Sequence, residues 1–191
     1  LTVDADPQAE MSSKETLAEN LTSLTLSNGA RVILAKSAGE EQKLQITAVS
    51  NKGDLSFPAQ QKSLIALANK AVSGSGVGEL SSSSLKRWSA ENSVTMSSKV
   101  SGMNTLLSVS ARTNNPEPGF QLINQRINHS TINDNIWASL QNAQIQALKT
   151  LDQRPAEKFA QQMYETRYAD GRTKLPQENQ IAQFTAADAL A

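Results

Sequence analysis

The side chains that do most protein chemistry are scarce in this chain. Among 191 residues there is one histidine, His129, and no cysteine, so disulfides and thiolate metal sites are excluded by composition alone. His129 stands in Ile127-Asn-His-Ser130, near an expected helix end and without a carboxylate at metal-ligand spacing. A histidine in that place ordinarily answers the helix dipole or sits in water. No serine lies in a Gly-x-Ser-x-Gly elbow, the strained turn that exposes a hydrolase nucleophile. Gly74, Gly76 and Gly78 form a Gly-x-Gly-x-Gly string, but it follows a predicted helix, whereas a phosphate-cradling loop stands between a strand and the helix it opens. Arg167-Tyr168 has the residue types of a ligand-binding pair, yet it reads as a helix end with Tyr packed and Arg in water. Trp137, Phe159 and Tyr164 read as core rather than as a ligand platform. Residue chemistry by itself describes an α+β domain with no active site.

Lys plus Arg total 18 and Asp plus Glu total 18, so no net field favours nucleic acid or anionic lipid. No apolar run approaches the roughly 20 residues of a membrane span. The beginning, Leu1-Thr-Val-Asp-Ala-Asp-Pro-Gln8, lacks both an initiator Met and a signal-peptide pattern, and is expected to be a cut inside a longer protein.

The elements follow from periodicity. Residues 1–22 are polar and read as a linker, with a short helix around Glu15–Glu19. Order is expected over 23–191. Leu24-Thr-Leu-Ser-Asn-Gly-Ala-Arg-Val-Ile-Leu34 places two apolar runs around Asn28-Gly29, a strong hairpin signal. Leu44–Val49 alternates as a strand, Lys52–Pro58 is a loop, and Gln60 to Ser73 has helical spacing through Leu64, Leu67, Ala68 and Ala71. A serine of Ser81–Ser84 caps a short helix over Leu85–Glu91 whose Trp88 faces the core. The segments 93–100 and 105–111 form an antiparallel pair. Three helices follow: one with Phe120, Ile123 and Ile127 on its apolar face, one from Asn133 with Trp137, Leu140, Gln144, Leu148 and Leu151, and one opened by Pro155 with Phe159, Met163 and Tyr164. The order implies one mostly antiparallel sheet (24–34, 44–50, 93–100, 105–111) with helices packed on one face.

Several of these segments together resemble the insulinase/pitrilysin family of zinc metallopeptidases, the inverzincins. Leu24–Leu34 is similar to the family's first hairpin, Val49-Ser-Asn-Lys-Gly-Asp-Leu55 to the strand and loop before the motif helix, Ser73-Gly-Ser-Gly76 to the glycine turn after it, and Thr185-Ala-Ala-Asp-Ala-Leu190 to the start of a late helix. The likeness covers residues 23–191 and implies an insulinase/processing-peptidase-like domain, incomplete at its C-terminal end. It is similar to the third of four domains in long bacterial members, a group often exported to the periplasm. Where the family carries H-x-x-E-H, this chain has Ala66, Asn69 and Lys70. A methyl group ligates nothing, an amide is no general base, and an ammonium repels a metal.

The resemblance therefore implies a non-catalytic domain, with no cofactor in this chain and zinc in the catalytic half of its parent. It implies a role in walling a chamber for peptide substrate beside other domains of the same polypeptide. The alternative is a binding or assembly domain of a fully inactive family member. Gly53–Phe57 and the glycine turn at 74–78 are expected to border the chamber-facing surface.

Overall fold

The structure is a computed structural model that describes residues 1, 10–37, 39, 42–168 and 171–190. Its central sheet is built on β6 (Asn104–Arg112), flanked by β4 (Lys43–Ser50) and β5 (Thr95–Ser101), both antiparallel to it. Alternation decides the faces: Leu107, Val109 and Ala111 are buried on one side of β6, while Thr95, Ser97 and Lys99 of β5 face water on the other. Ile46, Val109 and Met96 align as one cross-strand row, and Val109 is fully buried. The tight turn joining β5 to β6 holds Gly102 at φ +58°, a left-handed conformation that glycine adopts without strain.

The helices of the described residues lie partly on that apolar face and partly on one another. They are α1 (Lys62–Gly74), α2 (Ser82–Glu91), α3 (Glu117–Asn128), α4 (Asp134–Lys149), α5 (Pro155–Arg167), α6 (Glu178–Gln183) and α7 (Ala186–Leu190). Ser81 caps α2 by accepting from the Ser84 amide at 3.2 Å. Helix α3 seats closely on β6 because Gly119 has no side chain; a Cβ there would lie 2.9 Å from that of Ala111. One buried cluster joins Val77, Leu85, Val94, Val109, Ala111 and Leu122, with Trp88 against it. A second joins Leu64, Leu67 and Ala71 of α1 to Trp137 of α4 and Ile181 of α6. Gln141 fastens the latter by donating to the carbonyls of Ile181 and Phe184, both at 2.8 Å.

Three expectations are corrected. First, the four strand segments do not make one sheet. The Asn28-Gly29 hairpin forms as expected, with Gly29 at φ +83° and β2 (Leu21–Leu26) paired to β3 (Arg31–Ala35). It belongs, however, to a separate three-stranded sheet, ordered β1-β2-β3. Its first strand, β1 (Met11–Ala18), occupies the stretch read as linker with a short helix, and the boundary placed at residue 22 falls inside β2. Thr16, Ser23 and Thr25 suit a ladder, and pairing with β2 outweighs the weak helical propensity of Glu15–Glu19.

Second, α3 is turned from its expected phase. It buries Pro118, Leu122, Gln125 and Arg126, leaving Phe120 and Ile127 exposed; of the predicted face only Ile123 touches the core. Third, α5 buries no residue, and Phe159, Met163 and Tyr164 all face solvent. The helices of Leu67, Ile123 and Trp137 cover the core as expected, but that of Phe159 does not.

Candidate functional site

Helix α1 lies over one end of the central sheet, where the cross-strand row is Ala48, Leu107 and Ser98. Two small side chains flank the leucine, and α1 brings Ala68 and Asn69 opposite them. The space left is an apolar groove of about 920 Å³, bordered by Val49, Phe57, Ile65, Asn69, Arg126 and Ala189 among others. Strand β4 runs along its side. The Thr113 amide donates to the Gln42 carbonyl at 3.1 Å. With the unbroken register that follows, antiparallel alternation turns the amides and carbonyls of Gln45, Thr47 and Val49 away from β6. Among the described residues no strand takes up these groups.

The three degenerate motif positions sit on neighbouring turns of α1, but only one of them lines the groove. Ala66 and Lys70 lie on the exposed side of α1, and only Asn69 reaches the groove. Its Oδ1 accepts from Ser98 Oγ at 3.1 Å, and Ser98 Oγ lies 2.9 Å from Ser73 Oγ. This polar bridge ties α1 to β5 and offers nothing to a metal. Among the described residues no group of three His, Cys, Asp or Glu stands close enough to hold one. The donor set at the motif positions does not fit zinc.

A residue that the sequence did not flag anchors the same region. Arg126 is 7% exposed and donates from Nη1 to the carbonyls of Val72, at 2.7 Å, and Gly76, at 3.3 Å. It thereby satisfies acceptors at the C-terminal end of α1, where a cation is favoured by the helix dipole. Burial pulls its pKa below the usual arginine value. Asp188 lies at the groove's far side. It accepts from Thr185 Oγ1 at 2.6 Å and from the Thr185 amide at 2.8 Å, and these bonds lower its pKa. Nothing in the spacing around Arg126 announced its role, because its partners are main-chain carbonyls about fifty residues away.

Of the two segments expected to border the chamber, only the first touches the groove, through Phe57. Gly76 and Gly78 instead line a separate open hollow of about 640 Å³ beside Ser81, Lys86 and Asn133. His129 is exposed at the end of α3, as expected of a solvated histidine. Arg167 lies 5.7 Å from the Tyr168 ring centroid, but Tyr168 is itself exposed rather than packed. Of the aromatic set, Trp137 alone is core, while Phe159 and Tyr164 are not.

No family model matches the chain. It is 97% identical over 191 residues to the probable zinc protease PqqL of Escherichia coli (strain K12), matching all of this chain and 20% of that protein. The chain thus spans about a fifth of the length of the curated relative it matches. Against the crystal structure of the periplasmic protease PqqL from Escherichia coli it has a TM-score of 0.92 at 97% identity, covering 99% of this chain and 21% of the other. The ferredoxin protease FusC, solved as a mutant in complex with Arabidopsis ferredoxin, gives 0.82 at 22% identity over 95% of this chain and 20% of that one. Pitrilysin gives 0.58 at 16% identity over 96% of this chain and 19% of its own. These last two likenesses concern the fold alone, and that fold is the one the resemblance to the insulinase/pitrilysin peptidases implied; the near-identity is to a segment making up about a fifth of a probable zinc protease.

Proposed function

We propose that this chain is a non-catalytic wall of the substrate chamber in a periplasmic bacterial zinc metalloendopeptidase, holding peptides that are hydrolysed by another part of the same polypeptide. The observation that carries the reading is the outward edge of β4 over Gln45, Thr47 and Val49, which no strand among the described residues takes up, beside an apolar groove and under a helix whose motif positions are Ala66, Asn69 and Lys70. An extended peptide added to such an edge gains main-chain hydrogen bonds with little sequence preference, and the groove takes its apolar side chains. Zinc belongs, on this reading, to the catalytic half of the longer protein. The designation of the near-identical relative as a probable zinc protease favours this over a parent without catalysis.

The test uses the full-length polypeptide carrying this segment. Val49→Pro removes an outward amide without touching the β4–β6 ladder. A lost main-chain hydrogen bond is worth about 1 kcal/mol, so KM for peptides should rise about fivefold while zinc content stays constant. Deleting 11–191, which removes β1 and β2 whole, should abolish most turnover, again with zinc retained. Peptide hydrolysis unchanged in both variants would reduce the domain to a spacer.

A further inference from the structure

The two edges of the β1-β2-β3 sheet are built differently. Strand β1 is entirely exposed, carries Lys14 and Glu15, and breaks register with β2 twice, between Met11 and Ser13 and between Thr16 and Ala18. Charges and bulges of this kind guard an edge against further pairing. Strand β3, Arg31-Val-Ile-Leu-Ala35, has neither device in its interior, and its register with β2 is unbroken. Hydrogen bonds from the Leu26 amide to the Ala30 carbonyl and from the Lys36 amide to the Asn20 carbonyl, at 2.8 and 2.9 Å, fix the alternation. Val32 and Leu34 bond to β2, and the main-chain groups of Arg31, Ile33 and Ala35 point to the free edge.

Composition agrees with that geometry. Val32 and Leu34 lie on one face of β3, Ile33 and Ala35 on the other. Apolar residues on both faces mark a strand meant for a sheet interior rather than its rim. Yet Ile33 is 48% and Leu34 52% exposed, and among the described residues no helix lays a face across this sheet. Three strands without a packed face are marginal in water.

We propose that the free edge of β3 is a permanent strand-addition interface, occupied by one extended, apolar-alternating segment from elsewhere in the longer polypeptide. The near-identical relative has some four-fifths of its length outside the region matched here, which supplies such a segment in cis. A partner met only transiently would not suit an edge apolar on both faces, because that edge would stand bare between encounters. A guarded β1 and an unguarded β3 also give the addition one direction.

Hydrogen exchange in the full-length polypeptide carrying this segment tests the assignment. The amides of Ile33 and Ala35, unbonded within this sheet, should exchange at least about 100-fold more slowly than in an unfolded chain, as slowly as those of Val32 and Leu34. Free exchange at Ile33 and Ala35 beside protected Val32 and Leu34 would overturn the proposal. So would protection that appears only when two copies associate, seen by light scattering. Substitution separates pairing from packing: Ile33→Pro removes an outward amide, while Ile33→Ala keeps it. Full-length protein with Ile33→Pro should melt well below that with Ile33→Ala, and equal melting of the two would count against strand addition.

Discussion

Trp137→Ala is the sharpest probe of the helical half of the core. Trp137 is 7% exposed, belongs to the cluster of Leu64, Leu67, Ala71 and Ile181, and meets Phe184 with ring centroids 5.7 Å apart at an interplanar angle of 55°. Truncation removes the indole and leaves a cavity between α1, α4 and α6, which rigid helices close only in part. Such changes cost about 3–5 kcal/mol, of which the tilted contact with Phe184 accounts for about 0.5–1.5 kcal/mol. For a chain of this length each kcal/mol lowers Tm by about 2–4 °C, so a fall of roughly 6–20 °C is expected. Chemical denaturation followed by far-UV circular dichroism gives the free energy, and Trp88 fluorescence reports the sheet side independently. A double-mutant cycle with Phe184→Ala isolates the ring contact. A loss below about 1 kcal/mol would refute the claim that Trp137 is the keystone of this cluster.

Three further outcomes rest on particular contacts. Gly76→Ala should cost about 3 kcal/mol or more, because its Cβ would stand 1.8 Å from the Leu80 carbonyl oxygen; Gly39→Ala, with open space around it, serves as the neutral control in the same denaturation experiment. Asp188 has a lowered pKa through its bonds to Thr185, so folding favours the carboxylate. Its contribution to holding α7 is complete above the ordinary Asp value of about 3.9 and is lost as pH falls through the lowered folded value; NMR titration of the carboxyl carbon checks the direction, and Asp188→Asn should abolish the dependence. The isolated chain should retain no stoichiometric zinc after dialysis and show no peptidase activity, since its motif positions are Ala66, Asn69 and Lys70; bound zinc that disappears with His129→Ala, measured by elemental analysis, would contradict this.

Local signals settled much of the molecule before any tertiary contact was known. Asn28-Gly29 announced its hairpin because only a few residue types favour that turn. The alternation of Leu44–Val49 and the β-branched, serine-rich run of 105–111 announced strands, and the run Ser81–Ser84 and Asn133 announced helix starts, because each of these features acts within a few residues. The departure of Ala66, Asn69 and Lys70 from H-x-x-E-H was equally legible, since it is a matter of residue types alone. What the sequence left open depended on distant partners. Strand pairing in 11–18 is decided across the turn by β2, not by propensity. The buried side of α3 includes Gly119, seated on β6, and Arg126, which reaches the carbonyls that end α1, and periodicity counts only the larger apolar residues. The apolar side of α5 faces water, although its spacing is that of a buried stripe; the spacing identifies an amphipathic helix without saying what covers it. The groove is the clearest case, because Ala48 and Ser98 are inconspicuous in sequence and line a common space with Asn69 only when β4, β5 and α1 converge.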